Sequence, residues 1–284
     1  MGVRHLNKYI TTHCSGIQSI ELASLSHKKI VIDTSIYLYK YKATDSLLYN
    51  MEKMLKLFSS LFIYPIFVFD GKPSNLKQPT LDSRKEKKKE AWEKYKELLK
   101  TQHESSLLYL KPQFTKVSKV DVYQVKTLMD SFGASYIDAP NEADEICAML
   151  VLTNQVYACM SDDMDMFIYG CVRILRTINL DSQSAILYNL ESILTSMNMT
   201  LHEFRQVCVI SGTDYYMSSQ TLFDYIKLFE HYKKSTHLDF YDWLIYMGKL
   251  KNKDKLMQSF NMFIQEPLQL ALTSGNADSC TSAN

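Results

Sequence analysis

Seven carboxylates are spread over most of the chain, nearly all where an apolar run stops. IVIDTS ends on Asp33 and PIFVFDGKP on Asp70; DAPNEADE carries Glu142 and Asp144, YACMSDDMD carries Asp163 and Asp165, and VCVISGTDYY carries Asp214. A short β-branched or aromatic run ending in Asp reads as a buried strand handing a carboxylate to the open end of a parallel sheet, the edge where α/β proteins place their chemistry. One such Asp is ordinary as a cap or turn residue, and Glu142 and Asp144 alone could be the negative first turn of a helix. The number of acids argues for more. Asp162, Asp163 and Asp165 crowd one turn, where mutual repulsion costs stability unless a cation is present. Ligands that are all oxygen suit Mg2+ or Mn2+, and divalent ions held this way suit phosphodiester hydrolysis.

The elements that must position these acids can be read from the pattern. Lys28–Asp33 predicts a first strand, and apolar spacing predicts a helical stretch from about Ser35 to Phe62. Tyr64–Asp70 predicts a second strand closed by the turn residues GKP. Leu81–Leu108 is long and polar, Val117–Phe132 is an amphipathic helix, and ASYID is a third strand. Asn141 is expected to cap a helix running through Leu152, QVYACMS to be a fourth strand, and VRILRTI with SAILYNL to be a hairpin around NLDSQ. Helices are expected over Leu190–Met197, Leu201–Ile210 and most of the chain to Phe263, with a disordered tail over 272–284. Strands alternating with helices predict an α/β fold with a mostly parallel central sheet flanked by helices.

Composition excludes more than it assigns. The 284 residues are 46% hydrophobic and 22% charged with net charge +1, ordinary for a globular chain. Six cysteines show no CxxC pair and no neighbouring His at zinc spacing, so reduced thiols are expected rather than a disulfide framework. No segment is apolar enough to span a bilayer, and the start MGVRHLNKYI has no signal-type apolar core, so an intracellular soluble protein is expected.

Bases gather in one block. Between Arg84 and Lys100 stand eight Lys and Arg, including Lys85, Lys87, Lys88 and Lys89, with Trp92 and Tyr95 interleaved. Glu86, Glu90, Glu93 and Glu97 would equally suit a solvated helix laced with ion pairs.

MGVRHLNKYI, VIDTSIYLY, VFDGKPSNLK, DAPNEADEICA, SDDMDMFIYG and VCVISGTDYY resemble, in order, the motifs of the flap endonuclease/XPG-type structure-specific 5′ nucleases, over about residues 1 to 216. The resemblance implies a PIN-like 5′ nuclease fold over residues 1–268. Its parts would be an N-terminal nuclease region (1–80), a helical arch (81–132), an internal nuclease region (133–216) and a helical C-terminal part (217–268). It implies two Mg2+ per active site, with Mn2+ able to substitute. Asp33, Asp70, Glu142 and Asp144 would bind one ion, and Asp163, Asp165 and Asp214 the other. Asp144 stands where that family more often has Glu, a shorter reach. Lys77 and Arg84 match the catalytic basic positions at the arch base. Tyr39 matches an aromatic that stacks on a base, with a core tyrosine as the alternative, and Gly2 matches the N-terminal glycine.

The implied partner is DNA with a 5′ flap, nick or branch, cut in replication, recombination or repair. A catalytically silent nucleic-acid-binding scaffold and an RNA-directed nuclease are the alternatives. No sliding-clamp peptide is recognised, a monomer is expected, and the implied location is the nucleus or, for a viral protein, the host cytoplasm, the virion or a replication site. One departure stands out. The family's glycine-rich hairpin, which grips duplex by backbone amides and often K+, should follow Asp214, yet no glycine occurs between Gly212 and Gly248. Lys227, Lys233 and Lys234 are expected to make looser phosphate contacts instead.

Overall fold

The computed structural model describes residues 2–99, 104–234 and 238–264. The tail expected over 272–284 lies outside the described residues. Seven strands form one sheet: β1 (Ile17–Glu21), β2 (Lys29–Asp33), β3 (Tyr64–Phe69), β4 (Ser135–Asp138), β5 (Ala158–Met160), β6 (Arg173–Asn179) and β7 (Ser184–Asn189). Their spatial order is β1-β7-β6-β5-β2-β3-β4. The pairs β6–β5, β5–β2, β2–β3 and β3–β4 are parallel, while β7 runs antiparallel to both β6 and β1. The mostly parallel sheet expected from alternating strands and helices is therefore present, with an antiparallel edge.

The helices are α1 (Leu6–His13), α2 (Thr34–Ala43), α3 (Leu47–Ser60), α4 (Gln78–Leu99), α5 (Glu104–Phe114), α6 (Lys119–Ser131), α7 (Ala143–Leu152), α8 (Asp165–Tyr169), α9 (Leu190–Met197), α10 (Leu201–Ser211), α11 (Leu222–Tyr232), α12 (Phe240–Tyr246) and α13 (Asp254–Asn261). Strand periodicity sorts them into two layers. Val31, Val68, Cys159 and Ile174 point into a core shared with α1, α7, α8 and α10–α13. Ile30, Ile32, Phe67, Met160 and Leu175 point into a second core shared with α2, α3 and α6. Central strands buried on both faces read as continuous apolar runs, which is why IVID and FVF stood out.

Three expectations are corrected. β1 had no recognised signal: its exposed–buried pattern is broken and it lies at the sheet edge. The stretch from Ser35 to Phe62 is two helices, because Thr44, Asp45 and Ser46 bond locally instead of continuing the helix. Thr44 Oγ1 and Ser46 Oγ lie 2.7 Å apart and Asp45 has φ 52°. Asn141 does not cap α7; Glu142 holds that position, and Asp70 Oδ1 from the end of β3 accepts the Ala143 amide at 2.8 Å. The cysteines among the described residues are free thiols. No described helix is long and apolar enough to cross a membrane.

Candidate active site

Parallel strands bring their carboxyl ends to one edge, and the acids collect there. Asp33 is the last residue of β2, Asp70 follows β3, and Asp163 and Asp165 follow β5. Glu142 and Asp144 open α7, and Asp214 lies in the loop after α10. Asp33, Glu142, Asp163 and Asp165 are all below a tenth exposed. Burial, then the charges of Asp70 and Asp163, push Asp33 up to about 8, against a hydrogen bond from Ser161 Oγ. Asp144 is held well above the usual carboxylate range by desolvation and by Asp33, Asp163 and Asp165. Asp165 is raised by desolvation and by Asp163 and Asp214. These mutual repulsions link the two implied ligand groups into one cluster.

Two cations from the base of α4 enter the cluster. Lys77 Nζ lies 2.6 Å from Glu142 Oε2 and 3.2 Å from Asp214 Oδ2. Burial works against its charge, but Glu142, Asp214 and Asp144 outweigh it and raise its pKa. Arg84 Nη2 donates to both Asp214 oxygens at 2.8 and 2.7 Å. Thr80 Oγ1 donates to the Asp214 carbonyl at 2.7 Å, so three residues of this segment fasten onto the loop after α10.

The site has a test of fit for cations. Glu142 Oε1 and Asp165 Oδ1 are buried oxygens without a hydrogen-bond partner. The neighbouring acids Asp33, Asp163 and Asp214 offer only oxygen as ligand atoms, and Lys77 stands beside them. Among the described residues no three His, Cys, Asp or Glu side chains are placed together so as to hold a metal ion; Lys77 and Arg84 supply the local positive charge. An all-oxygen set with unsatisfied buried carboxylate oxygens fits a hard divalent cation. Gly2 fits here too: a Cβ on it would stand 2.4 Å from Asp165 Oδ1 and 2.8 Å from Asp163 Oδ1, so no side chain is tolerated against the acids.

The remaining predicted residues fall in different places. Tyr39 is 44% exposed, whereas Tyr37 and Tyr41 on the same helix are buried, so Tyr39 is not a core tyrosine. Lys88 Nζ lies over its ring at 5.2 Å and also donates to the Thr115 carbonyl at 3.3 Å. Lys85 pairs with Asp82 at 3.0 Å, and Lys87 and Lys89 are exposed on α4. Trp92 and Tyr95 pack on Phe114 of α5, at 5.1 and 4.9 Å, joining α4 to α5. By contrast α6, also inside the segment 81–132, packs Val125 and Met129 into the core beside the sheet. Lys227 is exposed on α11, and Lys233 and Lys234 are exposed just beyond it, with Lys233 Nζ bound to Glu203 at 2.8 Å. Among the described residues none of these three lysines forms an ion pair with an acid of the cluster.

Sequence reasoning missed the residues that orient the acids. Ser161 Oγ donates to Asp33 Oδ2 at 3.1 Å and accepts from the Asp163 amide at 3.1 Å. Tyr215 OH donates to Glu142 Oε2 at 3.1 Å. Each lies inside a quoted motif, SDDMDMFIYG or VCVISGTDYY, but no spacing rule distinguishes it. Asp162 turns away from the cluster and accepts the Thr177 amide at 2.8 Å.

A parallel five-strand core with acids at its carboxyl edge and a helical pair rising beside them is the architecture of PIN-like nucleases. The XPG N-terminal domain matches residues 1–91 and the XPG I-region residues 133–214. The chain is 29% identical over 235 residues to Flap endonuclease 1 of Glycine max, covering 76% of this chain and 62% of that protein, so it spans less than two thirds of that relative's length. It is 30% identical over 234 residues to Flap endonuclease 1 of Encephalitozoon cuniculi, covering 76% of this chain and 68% of that protein. Among solved structures, the catalytic core of Rad2 in complex with DNA substrate superposes with a TM-score of 0.67 at 21% identity, covering 93% of this chain and 86% of that one. The chain belongs to the XPG-type flap endonuclease family.

Proposed function

We propose that this protein is a divalent-metal-dependent structure-specific 5′ nuclease that hydrolyses phosphodiester bonds in flapped or branched DNA during replication, recombination or repair. The observation that carries the reading is the gathering of seven acids at one sheet edge, two of them with unpartnered buried oxygens, beside Lys77 and Arg84, which pair with Glu142 and Asp214. Asp33, Asp70, Glu142 and Asp144 would hold one Mg2+ and Asp163, Asp165 and Asp214 a second, with Mn2+ as a substitute. When bound, such ions supply an ionised water and neutralise charge on the phosphate.

The chain's own residues do the rest. Lys77 and Arg84 exchange part of their carboxylate contacts for the scissile phosphate and stabilise charge building on its oxygens. Tyr39, exposed beside Lys88, offers a face on which a base stacks. The α4–α5 pair serves as the arch, with Lys85, Lys87, Lys88 and Lys89 contacting the strand's phosphates. Gly2 lets the backbone lie against Asp163 and Asp165.

Cleavage of 5′-labelled flap, nicked, single-stranded and four-way DNA, and of the matching RNA, tests this in Mg2+ and in EDTA. Metal-dependent cutting of branched DNA is expected, abolished by Asp163→Ala or Asp70→Ala with DNA binding retained. Full cleavage in excess EDTA would sink the assignment. Binding without cutting would favour a silent scaffold, and preferential cutting of RNA an RNA-directed nuclease.

A further inference from the structure

We propose that Tyr215 is a positioning residue for Glu142, holding its carboxylate so that one oxygen is left for a divalent cation. The inference rests on the metal-dependent reading above. The two oxygens of Glu142 are unlike. Oε2 accepts from Lys77 Nζ at 2.6 Å and from Tyr215 OH at 3.1 Å, while Oε1 is buried with no partner. Two donors on one oxygen fix the plane of the carboxylate and spend neither bond on the other oxygen. A buried oxygen left without a donor costs on the order of 1–3 kcal/mol. Among neighbours that are mostly carboxylates, a cation relieves both the missing bond and the repulsion.

Tyr215 is itself braced from the C-terminal side. Ser259 Oγ, on α13, donates to the Tyr215 carbonyl at 3.0 Å. Phe263 meets the Tyr215 ring edge-on at 5.6 Å, and Lys77 Nζ stands 5.7 Å from the centroid of that ring. Phe263 also packs on Tyr169 at 5.0 Å, the last residue of the helix that begins at Asp165. One aromatic side chain, Phe263, thus contacts supports of an acid from each implied metal group: Tyr215 for Glu142, and α8 for Asp165.

Tyr215→Phe keeps the ring packing and deletes only the hydroxyl. The full chain is titrated with Mg2+ by calorimetry without DNA, and single-turnover cleavage is followed as Mg2+ rises. Loss of an outer-shell partner typically weakens metal affinity about 10–100-fold. That loss is expected here, together with slow cleavage at low Mg2+ that excess Mg2+ restores and an unchanged KM for DNA. Ser259→Ala, one bond further out, should shift Mg2+ affinity the same way by less. A residue that only supports the fold would slow cleavage at every Mg2+ concentration. Unchanged Mg2+ affinity in Tyr215→Phe, or a defect that excess Mg2+ does not restore, overturns the proposal alone. An unsubstituted chain that takes up no Mg2+ overturns the metal-dependent reading along with it.

Discussion

Lys77 Nζ and Glu142 Oε2 meet at 2.6 Å although 65 positions separate them in sequence. The contact ties the start of α4 to the start of α7, and Arg84 adds a second tie to Asp214. A basic segment that could have been a solvated helix face is therefore anchored at its base in the acidic cluster and packed on α5 through Trp92 and Tyr95, with Lys87 and Lys89 exposed between the two.

That gradient predicts two kinds of defect. Lys77→Ala and Arg84→Ala should slow single-turnover cleavage about 10²–10³-fold, the usual cost of removing one donor to developing charge, while changing DNA affinity little. Lys87→Ala with Lys89→Ala should leave the bound rate nearly intact, weaken binding and lower its salt slope. Cleavage rates measured beside affinities at several salt concentrations separate the two. Equal, purely binding defects in both sets would refute the division.

Asp121 predicts an acid-sensitive contribution to stability. It caps α6 reciprocally with Ser118 and pairs with Lys42 at 2.7 Å, and the Lys42 contact holds its pKa below the ordinary carboxylate value. A carboxyl depressed by folding stabilises fully above its unfolded pKa and loses that contribution as pH falls through the folded value. Asp121→Asn should cost about 1 kcal/mol near neutral pH, a typical capping loss. The difference from the parent should shrink as pH falls below the unfolded carboxylate pKa and vanish once pH is below the lowered folded value. Denaturant midpoints of both proteins across this range check it, and a gap that persists in acid would contradict it.

What the sequence made legible were features built from runs: apolar strands, their terminal acids, the hairpin, and the helices from Leu190 onward. Less legible were features built from contacts between distant segments. Asp70, not Asn141, caps α7, because an adjacent strand places a carboxylate over the Ala143 amide. Ser161 and Tyr215 orient acids through bonds that no periodicity encodes. The edge strand β1 lacks the double-sided burial that marked β2 and β3.

Gly71 is one such contact. It donates its amide to the Asn141 carbonyl at 2.6 Å, and a Cβ on it would stand 2.1 Å from the Ala139 carbonyl oxygen and 2.6 Å from that of Pro140. All these atoms are backbone, so the turn leading into Glu142 would have to move. Gly71→Ala should destabilise by about 1–3 kcal/mol, the usual cost of overpacking, and should impair Mg2+-dependent cleavage beyond what lost stability explains. Thermal melts paired with cleavage on the folded fraction test this. A fully active, equally stable variant would show that the turn yields freely.

The loop after Asp214 predicts a change in substrate discrimination. Between Gly212 and the start of α11 at Leu222 no glycine is available, and backbone amides reach closely around a phosphate most readily where residues adopt φ > 0. Among the described residues of this loop none is a positive-φ residue after Gly212. The exposed lysines nearby contact phosphates by flexible side chains, and Lys233 is already engaged by Glu203. Such contacts are salt-sensitive and indifferent to duplex geometry. The acids lie outside this loop except for Asp214, whose partners Arg84 and Thr80 belong to another segment, so cutting should survive while preference broadens. Flaps with long and short downstream duplex, compared in K+ and in Na+, should be cut at rates within a few-fold of one another. A strong K+ requirement, or a sharp loss when the downstream duplex is shortened, would show that another element of the chain grips the duplex specifically.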